Sequence, residues 1–391
     1  MIRASVGVYV HIPFCERICP YCDFAVVRGA PAPDAERRYV RALLRELELR
    51  GPLFEGSRLA SVYFGGGSPS LLQPESLAAI LEALQRRFPP AGDELIEVTL
   101  EVNPSTVERG RLPAFRSLGV NRLSLGIQSF DDTVLRRMGR AHEASEGFRT
   151  LEAARAAGFD NLSLDLIFAA PGQDLARLEA DLATAVSFAP EHVSCYELVV
   201  EEGTPFARAD ARGQLARAGE DEAADMLGAI EARLSAAGIL RYELTNYARP
   251  GREAVHNIRY WLRQPVLGLG VGAWSSEGPR EEAPHGARRA NLRELAAYLS
   301  RVEAGESAEV AFEPLDADTA RGEAVFLALR RREGLSASLF CREFGASPRS
   351  FFASSIDKLE ADGLLVENHQ GDLRLSARGR LLADLACQYF V

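Results

Sequence analysis

The chain of 391 residues lacks a long hydrophobic run, a stripe of basic residues and a repeated unit. A membrane-spanning helix needs about 20 consecutive apolar residues, and no such run is present. The apolar stretch at 1–14 is broken by His11 and Pro13 and is too short for a signal peptide. A net charge of −10 without a local excess of Lys and Arg disfavours nucleic acid as a partner. We therefore expect a soluble globular protein of the cytoplasm with no integral membrane segment.

Cysteine is scarce, and half of the six cysteines are clustered. Scattered cysteines stand at Cys195, Cys341 and Cys387, whereas the segment CERICPYC holds Cys15, Cys19 and Cys22 within eight positions. In a reducing compartment such a cluster favours a metal site over disulfides. Zinc sites usually combine two C-x2–4-C pairs, and no second pair is present. A zinc site completed by a distant ligand such as His11, or three buried structural cysteines, remain as alternatives.

Apolar, β-branched runs recur along the first half of the chain, each followed by a Gly, Pro or polar turn. The strand candidates are 8–12, 61–64, 96–102, 122–127, 161–168 and 192–199. Helical patterns stand between them, for example at 34–49, 74–88, 143–157 and 174–188. This alternation predicts right-handed crossovers and a parallel sheet covered on both faces. The six units favour an α/β fold with an open, partial (β/α)6 barrel, whose ligands gather at the carboxyl ends of the strands.

The last part of the chain has a different pattern. Residues 278–289 (GPREEAPHGARR) are charged and rich in Gly and Pro, which predicts an exposed loop. Beyond it, helical patterns at 316–332, 336–344 and 348–362 precede two short strands at 364–367 and 372–375. Helices followed by a hairpin are typical of a winged-helix-like module, but no strong basic face suits it to DNA. We predict a core domain at 1–238, an extension at 239–306 and a C-terminal winged-helix-like domain at 307–391.

The spacing C-x3-C-x2-C, directly after a strand that ends in HIPF, suits an iron–sulfur cluster. Three thiolates bind three irons of a cubane and leave the fourth iron open to a small chelating molecule. The motif resembles the radical SAM superfamily, in which the amino and carboxylate groups of S-adenosylmethionine (SAM) occupy that iron. The resemblance implies a [4Fe–4S] cluster on Cys15, Cys19 and Cys22, SAM cleavage to a 5′-deoxyadenosyl radical, and Tyr21 packed near the adenine.

Polar and glycine residues follow the predicted strands in a consistent order. Gly65–Gly66–Gly67–Ser68–Pro69 follows one strand and allows backbone amides to approach a charged ligand. Carboxylates can accept hydrogen bonds from the hydroxyl or ammonium groups of a ligand, and Arg can pair with a ligand carboxylate. The alternative is that these residues form ordinary hydrogen bonds at strand ends and surface ion pairs. Together these residues resemble the SAM pocket of the coproporphyrinogen-oxidase-like branch. The implied SAM contacts are Tyr9, Tyr21, Gly66, Gly67, Ser68, Glu101, Gln128, Arg140 and Asp165.

The resemblance extends over nearly the whole chain, and its most discriminating motif is HNIRYW at 256–261. This segment resembles the HNxxYW signature of the HemW family of heme chaperones. The resemblance implies heme as a ligand, with His256 on the iron near the barrel mouth and Tyr260 and Trp261 against the porphyrin. The alternative is that His256 and Asn257 cap a turn while the two aromatic side chains fill the core.

Two functions from different classes follow from the resemblance. A coproporphyrinogen III dehydrogenase of porphyrin biosynthesis removes hydrogen from propionate side chains, which then lose carboxylate to become vinyl groups. A heme chaperone passes heme to an acceptor protein, for which the resemblance suggests a respiratory enzyme. Dehydrogenases of this branch carry a fourth cysteine two positions after the third, whereas this chain has Phe24 at that position. They also carry an additional N-terminal segment before the first strand, whereas the first strand of this chain is predicted within ten residues of Met1. We therefore favour the chaperone, expect no dehydrogenase activity and assign no catalytic residue.

Two positions depart from the family pattern. Ala169 replaces a glycine of the usual YGLPGQ motif, a change of one methyl group. Trp274, in GLGVGAWS, stands where relatives commonly carry His. If that histidine contacts heme in relatives, this chain binds heme differently, and the second heme ligand is left open.

Overall fold

A computed structural model describes residues 5–90 and 96–391, so residues 1–4 and 91–95 of the predicted core domain lie outside the described part. The described residues form a sheet of twelve strands: β1 (Ser5–Ile12), β4 (Arg58–Gly66), β5 (Glu97–Val102), β6 (Arg122–Gln128), β7 (Leu162–Phe168), β8 (His192–Glu197), β9 (Leu240–Arg241), β10 (Asn246–Ala248), β11 (Val266–Leu269), β12 (Trp274–Glu277), β13 (Ala287–Asn291) and β14 (Glu309–Pro314). Their order in the sheet is β14-β13-β12-β11-β1-β4-β5-β6-β7-β8-β10-β9. A small parallel pair, β2 (Phe14–Cys15) and β3 (Val27–Arg28), follows β1.

Six consecutive parallel strands, β1 and β4 to β8, form the centre of the sheet and confirm the six predicted strands. The helices of this region are α1 (Pro33–Arg50), α2 (Pro74–Arg87), α3 (Thr106–Ser117), α4 (Asp132–Arg137), α5 (Ala144–Ala156) and α6 (Leu175–Ser187). Such βα units in an open sheet form the predicted partial (β/α)6 barrel. The α/β fold class is therefore confirmed.

Burial on both faces explains the continuous apolar character of β1. Val6, Val8 and Val10 have no exposed surface and belong to the main core, to which α1 adds Tyr39 and Leu43. The alternate residues of the strand point to the opposite face of the sheet, toward the barrel interior. This alternation leaves one face for packing and the other for polar chemistry.

The sheet continues beyond the six predicted strands at both edges. β11 pairs in parallel with β1, whereas β12, β13 and β14 add antiparallel strands. At the other edge β10 pairs antiparallel with β8 and with β9. Helices α7 (Pro205–Asp210), α8 (Glu220–Ala236), α9 (Val255–Trp261) and α10 (Leu295–Glu303) belong to this region. The prediction of an exposed loop at 278–289 is wrong in part, because Ala283 is buried and Ala287–Asn291 is a strand.

The C-terminal region has its own hydrophobic cluster, which includes Val325, Leu329, Ile356, Leu359 and Leu373. It consists of α11 (Ala317–Leu329), α12 (Ala337–Phe344), α13 (Pro348–Ala361), the antiparallel hairpin β15 (Leu365–Glu367) and β16 (Leu373–Leu375), α14 (Ala377–Leu381) and α15 (Ala383–Cys387). The predicted helices and hairpin are therefore present in this order. The boundaries at 238 and 306 stay a prediction.

A buried carboxylate joins α1 to the extension of the sheet. Glu46 is 1% exposed and accepts hydrogen bonds from Arg50 Nη1 at 3.0 Å and Asn291 Nδ2 at 2.6 Å through Oε1. Through Oε2 it accepts from the Gly270 amide and the Tyr298 hydroxyl, both at 2.8 Å. A charge so far from water is stable only when its acceptor sites are filled, as they are here.

Replacing Glu46 is therefore expected to destabilise the fold. Glu46→Ala removes the acceptor shared by the Gly270 amide, the Asn291 side chain and the Tyr298 hydroxyl, and it leaves Arg50 with Glu309 as its ion-pair partner. We expect a loss of about 3 kcal/mol or more, because these buried donors lose their partner. Urea denaturation followed by circular dichroism measures the change. Glu48→Ala, which removes a solvent-exposed ion pair with Arg45, is the matched control and should change stability by less than about 1 kcal/mol. Equal midpoints for the two variants would contradict the assigned role of Glu46.

Candidate functional site

A cavity of about 450 Å³ opens at the carboxyl ends of the parallel strands. Its volume is in the range of small-molecule sites. All three clustered cysteines line it, together with most of the other predicted site residues. These predicted residues are Cys15, Cys19, Cys22, Tyr21, Gly66, Gly67, Glu101, Gln128, Arg140 and Asp165.

The loop that carries the cysteines is held by short backbone bonds. The Gly29 amide donates to the Cys15 carbonyl at 2.8 Å, and the Cys22 amide donates to the Cys19 carbonyl at 3.1 Å. Arg140 Nη1 donates to Cys19 Sγ at 3.7 Å, which places a guanidinium beside a sulfur atom. Burial raises the pKa of the Cys15 and Cys22 thiols. The loop therefore presents its sulfur atoms to the cavity beside a positive charge.

Three thiols on one cavity match the donor set that a cubane cluster uses. Within residues 5–90 and 96–391, no group of three or more His, Cys, Asp or Glu side chains converges on one ion. A cubane needs no such convergence, because each thiolate binds a different iron. The donor set and its shared cavity are consistent with a [4Fe–4S] cluster held by three protein ligands.

The glycine loop after β4 lies against the end of β1. The Gly67 amide donates to the Ile12 carbonyl at 2.8 Å, and the Ser68 amide donates to the Phe14 carbonyl at 2.7 Å. A Cβ atom on Gly67 would lie 2.5 Å from the Phe14 carbonyl oxygen, so glycine is required by close backbone approach. Gly66 has φ +111°, a backbone conformation that residues with a Cβ atom rarely adopt, so glycine is favoured there as well. The loop thus fixes the backbone directly before Cys15.

Two carboxylates lie in the cavity with their hydroxyl partners. Glu101 Oε1 accepts from the Tyr63 hydroxyl at 2.8 Å, and Oε2 accepts from the Gly66 amide at 3.1 Å. Asp165 Oδ2 accepts from the Ser124 hydroxyl at 2.9 Å. Burial raises the pKa of Glu101 to about 7 and also raises that of Asp165. Each carboxylate keeps lone pairs for a ligand hydroxyl or ammonium.

Arg140 and Gln128 add polar groups from the β6 side. Arg140 Nη2 donates to Asn103 Oδ1 at 2.5 Å and to the Gly126 carbonyl at 2.9 Å. Its Nε is buried and has no hydrogen-bond partner among the described residues, so a donor is left for a ligand acceptor. Gln128 ends β6 at φ +64°, a strained conformation that is concentrated at functional sites.

Two predicted SAM contacts lie behind the cavity and do not line it. The Tyr9 hydroxyl shares a hydrogen bond with His11 Nδ1 at 3.1 Å, and its ring packs 6.1 Å from that of Tyr63. Ser68 is 2% exposed; its hydroxyl accepts from Asn103 at 2.6 Å and lies 4.0 Å from Cys15 Sγ. Both residues support groups that line the cavity.

The expectation that His256 lies near the barrel mouth is wrong. It is 1% exposed and shares a hydrogen bond through Nδ1 with Ser61 Oγ, at 2.9 Å, and through Nε2 with the Tyr260 hydroxyl, at 3.3 Å. Its backbone amide donates to Glu97, the first residue of β5, so the ring lies toward the amino end of the barrel. With both ring nitrogens engaged, His256 has no free ligand atom for heme iron in this conformation.

The other HNIRYW aromatics also lie outside the cavity. Tyr260 bonds to His256, and the Trp261 Nε1 is buried with no partner within the described ranges. Trp274, in place of the common histidine, is 50% exposed at the start of β12. Ala169 adopts φ +56°, so the exchanged glycine position is a left-handed one, where the added methyl group brings strain.

Several lining residues were missed by the sequence interpretation, and two of them bond directly to predicted site residues. Tyr63 and Asn103 line the cavity and bond to Glu101 and Arg140 respectively. A signal was present for both: Tyr63 is two residues before the first glycine of the loop, on the same face of β4, and Asn103 follows Glu101 in EVNP.

Comparison with known proteins identifies the family of this chain. Residues 9–185 match the model of the radical SAM superfamily, and residues 315–382 match that of the HemN C-terminal domain. The heme chaperone HemW of Bacillus subtilis is 34% identical, with 96% of each chain covered. That of Mycobacterium tuberculosis H37Rv is 38% identical, with 97% of this chain and 93% of the relative covered.

The chain belongs to the HemW family. Membership in this radical SAM family implies SAM and a [4Fe–4S] cluster as cofactors. Among solved structures, the Escherichia coli coproporphyrinogen III oxidase HemN, a radical SAM enzyme, is similar to this chain with a TM-score of 0.84. It is 26% identical, with 99% of this chain and 90% of that chain covered. None of the helices in the described part of this HemW-family chain is long and apolar enough to cross a membrane.

The close approach of Gly67 to Phe14 generates a test. Gly67→Ala would force the backbone before Cys15 to move, and we expect about 1–3 kcal/mol of destabilisation together with a severalfold lower content of iron and sulfide after anaerobic reconstitution. Gly110→Ala, in α3 with no atom within 4 Å of the added methyl group, is the control and should keep full content. Equal iron and sulfide in both variants would show that the contact is unimportant.

Proposed function

We propose that this protein is a heme chaperone that binds heme and transfers it to an acceptor protein. A [4Fe–4S] cluster on Cys15, Cys19 and Cys22 and an exchangeable SAM belong to this proposal. The observation that carries it is the match over nearly the whole length to proteins named heme chaperone HemW. A cytoplasmic location and a respiratory enzyme as acceptor are the accompanying expectations.

The cluster, when bound, supplies an iron–sulfur redox centre with one iron open to a ligand. The chain's own residues then hold SAM beside it. Arg140, with its unpartnered Nε, pairs with the SAM carboxylate, and Glu101 and Asp165 accept from hydroxyl or ammonium groups. The Gly66 and Gly67 backbone gives close approach, and Tyr21 packs against the adenine. Gln128 contributes polar contacts, whereas Tyr9 and Ser68 position their neighbours.

We place heme at the cavity mouth, where large apolar side chains are exposed. Phe24 is 64%, Val199 60% and Tyr196 40% exposed, and all three line the cavity. A porphyrin is a broad apolar ring, and such side chains give it a surface to pack on. The binding mode differs from the predicted ligation by His256, whose nitrogens are occupied below the cavity.

Coproporphyrinogen III dehydrogenation is the second candidate function, because the structural similarity to HemN covers 99% of this chain. Phe24 counts against it, since it stands where that branch carries its fourth cysteine and projects an apolar ring at the mouth of the cavity. The two candidates share the cluster and SAM and differ in what enters through the mouth.

The cluster is tested by exchanging one ligand. Cys19→Ser removes one of three thiolates, so the cubane absorption and EPR signals should be lost after anaerobic reconstitution. Cys341→Ser is the matched control, because Cys341 lies in α12 of the C-terminal region. A full cluster in Cys19→Ser would be fatal to the three-cysteine assignment, and colourless protein with stoichiometric zinc would support the zinc alternative.

The choice between the two functions needs substrate and ligand in parallel. Anaerobic protein with coproporphyrinogen III, SAM and a reductant should form no protoporphyrinogen, whereas titration with heme should produce a saturable Soret band. Phe24→Ala should weaken heme binding severalfold, because apolar area that heme would bury is lost. Phe351→Ala, at a phenylalanine of α13 that is 40% exposed and lies outside the cavity lining, is the control. Formation of protoporphyrinogen would contradict the choice of chaperone over dehydrogenase. Heme binding that is unchanged in Phe24→Ala would contradict the placement of heme at the cavity mouth.

A further inference from the structure

The HNIRYW segment has a structural environment that the heme-ligand role expected from the sequence does not explain. It forms the short helix α9, whose start is fixed to β5: the amides of Val255 and His256 donate to Glu97 Oε2 at 3.0 Å and Oε1 at 2.9 Å. The Ser61 hydroxyl of β4 then holds the imidazole through Nδ1. His256 is thereby placed against the inner face of β4.

From this position His256 contacts a residue of the cavity wall. Its ring centroid lies 5.4 Å from that of Tyr63, with an interplanar angle of 37°. The Tyr9 ring packs against Tyr63 at 6.1 Å. Tyr63 is therefore restrained by ring contacts with two residues, and its hydroxyl is aimed at Glu101 Oε1, 2.8 Å away.

A continuous series of contacts thus connects α9 with the cavity. It passes from His256 by ring packing to Tyr63, and from the Tyr63 hydroxyl to the Glu101 carboxylate. The Gly66 amide binds the other carboxylate oxygen, so both oxygens of Glu101 have a fixed donor. Two anchored oxygens define the orientation in which the remaining lone pairs face the cavity.

We propose that His256 is a positioning residue for SAM: it holds Tyr63 against Glu101, and the HNIRYW segment shapes the SAM pocket from beneath rather than ligating heme. The inference rests on the proposed SAM pocket and adds a role for the motif within it. It requires neither a free ring nitrogen nor exposure of the imidazole, in agreement with the observed burial.

The charges and hydrogen bonds around Glu101 predict how SAM binding should depend on pH. Burial raises its pKa to about 7; Asp165 of β7 raises it further, while the Tyr63 hydroxyl of β4, the Gly66 amide and Arg122 of β6 lower it. The imidazole itself is neutral, since burial together with the charges of Arg259 and Arg122 lowers the pKa of His256 to about 3. Only Glu101 of this pair titrates near neutral pH.

The experiment measures the SAM dissociation constant of cluster-loaded protein under anaerobic conditions between pH 6 and pH 8.5, a range of roughly one unit or more on each side of the Glu101 pKa of about 7. Wild-type affinity should fall as pH drops through this pKa, because the protonated carboxyl loses an acceptor. Tyr63→Phe removes one bond to the carboxylate but keeps the ring, so affinity should fall about tenfold and the midpoint of the pH profile should move upward.

His256→Ala should weaken SAM binding in the same direction, and His256→Gln should restore part of it. Because both residues act on Glu101 through one series of contacts, the double variant with Tyr63→Phe should bind SAM no more than marginally worse than Tyr63→Phe alone. The matched controls are His369→Ala and Tyr389→Phe, both on exposed residues of the C-terminal region. Heme titration of His256→Ala should give an unchanged Soret band.

The possible outcomes separate this inference from the proposed function. SAM binding that is unchanged in both Tyr63→Phe and His256→Ala, or effects of the two substitutions that add fully, would overturn the positioning role. A Soret band that is lost in His256→Ala while SAM affinity stays at the wild-type value would assign His256 to heme instead. Absence of SAM binding in cluster-loaded wild-type protein would overturn the proposed function together with this inference. Melting curves and iron content of Tyr63→Phe, which keeps its ring packing, identify any loss due to misfolding.

Discussion

The contact between the ends of β1 and β4 is the constraint on which the site depends. In-register parallel pairing brings Ile12 opposite Gly66, and the amides of Gly67 and Ser68 then bond to the Ile12 and Phe14 carbonyls. The chain after β1 carries the cysteines, and the chain after β4 carries the glycine loop. One pair of strands therefore determines how far the sulfur atoms lie from the groups expected to bind SAM. No side chain fits at Gly67 without separating the two.

Much of the fold was predictable because the central strands are buried on both faces and read as continuous apolar runs. The edge strands were not, since β9 to β14 are two to six residues long and lie outside the βα repeat. The loop prediction at 278–289 failed for a related reason: its charged residues Arg280 and Arg289 bond to Glu277, which is 6% exposed. The composition of a segment shows that it is charged, but it does not show which ion-pair partners allow its charged side chains to be buried.

The candidate site divides in the same way. Residues directly after strands, such as Glu101 and Asp165, were predictable because strand order fixes where they meet. His256 was placed wrongly because a motif identifies relatives without giving a location, and its location depends on distant partners, Glu97 and Ser61. Arg140 was predicted, but its unpartnered Nε depends on the packing around it and has no sequence signal.

A buried cation near the amino ends of the barrel strands, a region here called the barrel floor, stabilises the acidic groups that lie there far from water. Arg122 is 1% exposed at the start of β6. Burial acts to lower its pKa, but Glu97, Tyr63, Tyr242 and Asp165 raise it, so the guanidinium stays charged. This single cation neutralises part of the negative charge that surrounds it, including that of the carboxylate anchoring α9. The floor and the cavity wall are therefore one electrostatic unit.

The open sheet has a further consequence at its outer edge. β14 has β13 as its only sheet neighbour in the described part of the chain, and it exposes Val310 and Phe312. An unpaired edge of this kind invites strand addition by another molecule, and self-association is discouraged when charge and proline interrupt it. Glu309 and Glu313 flank the apolar positions, Pro314 lacks an amide hydrogen, and Arg289 lies 4.1 Å above the Phe312 ring. The barrel can thus remain open without its edge becoming a template for aggregation.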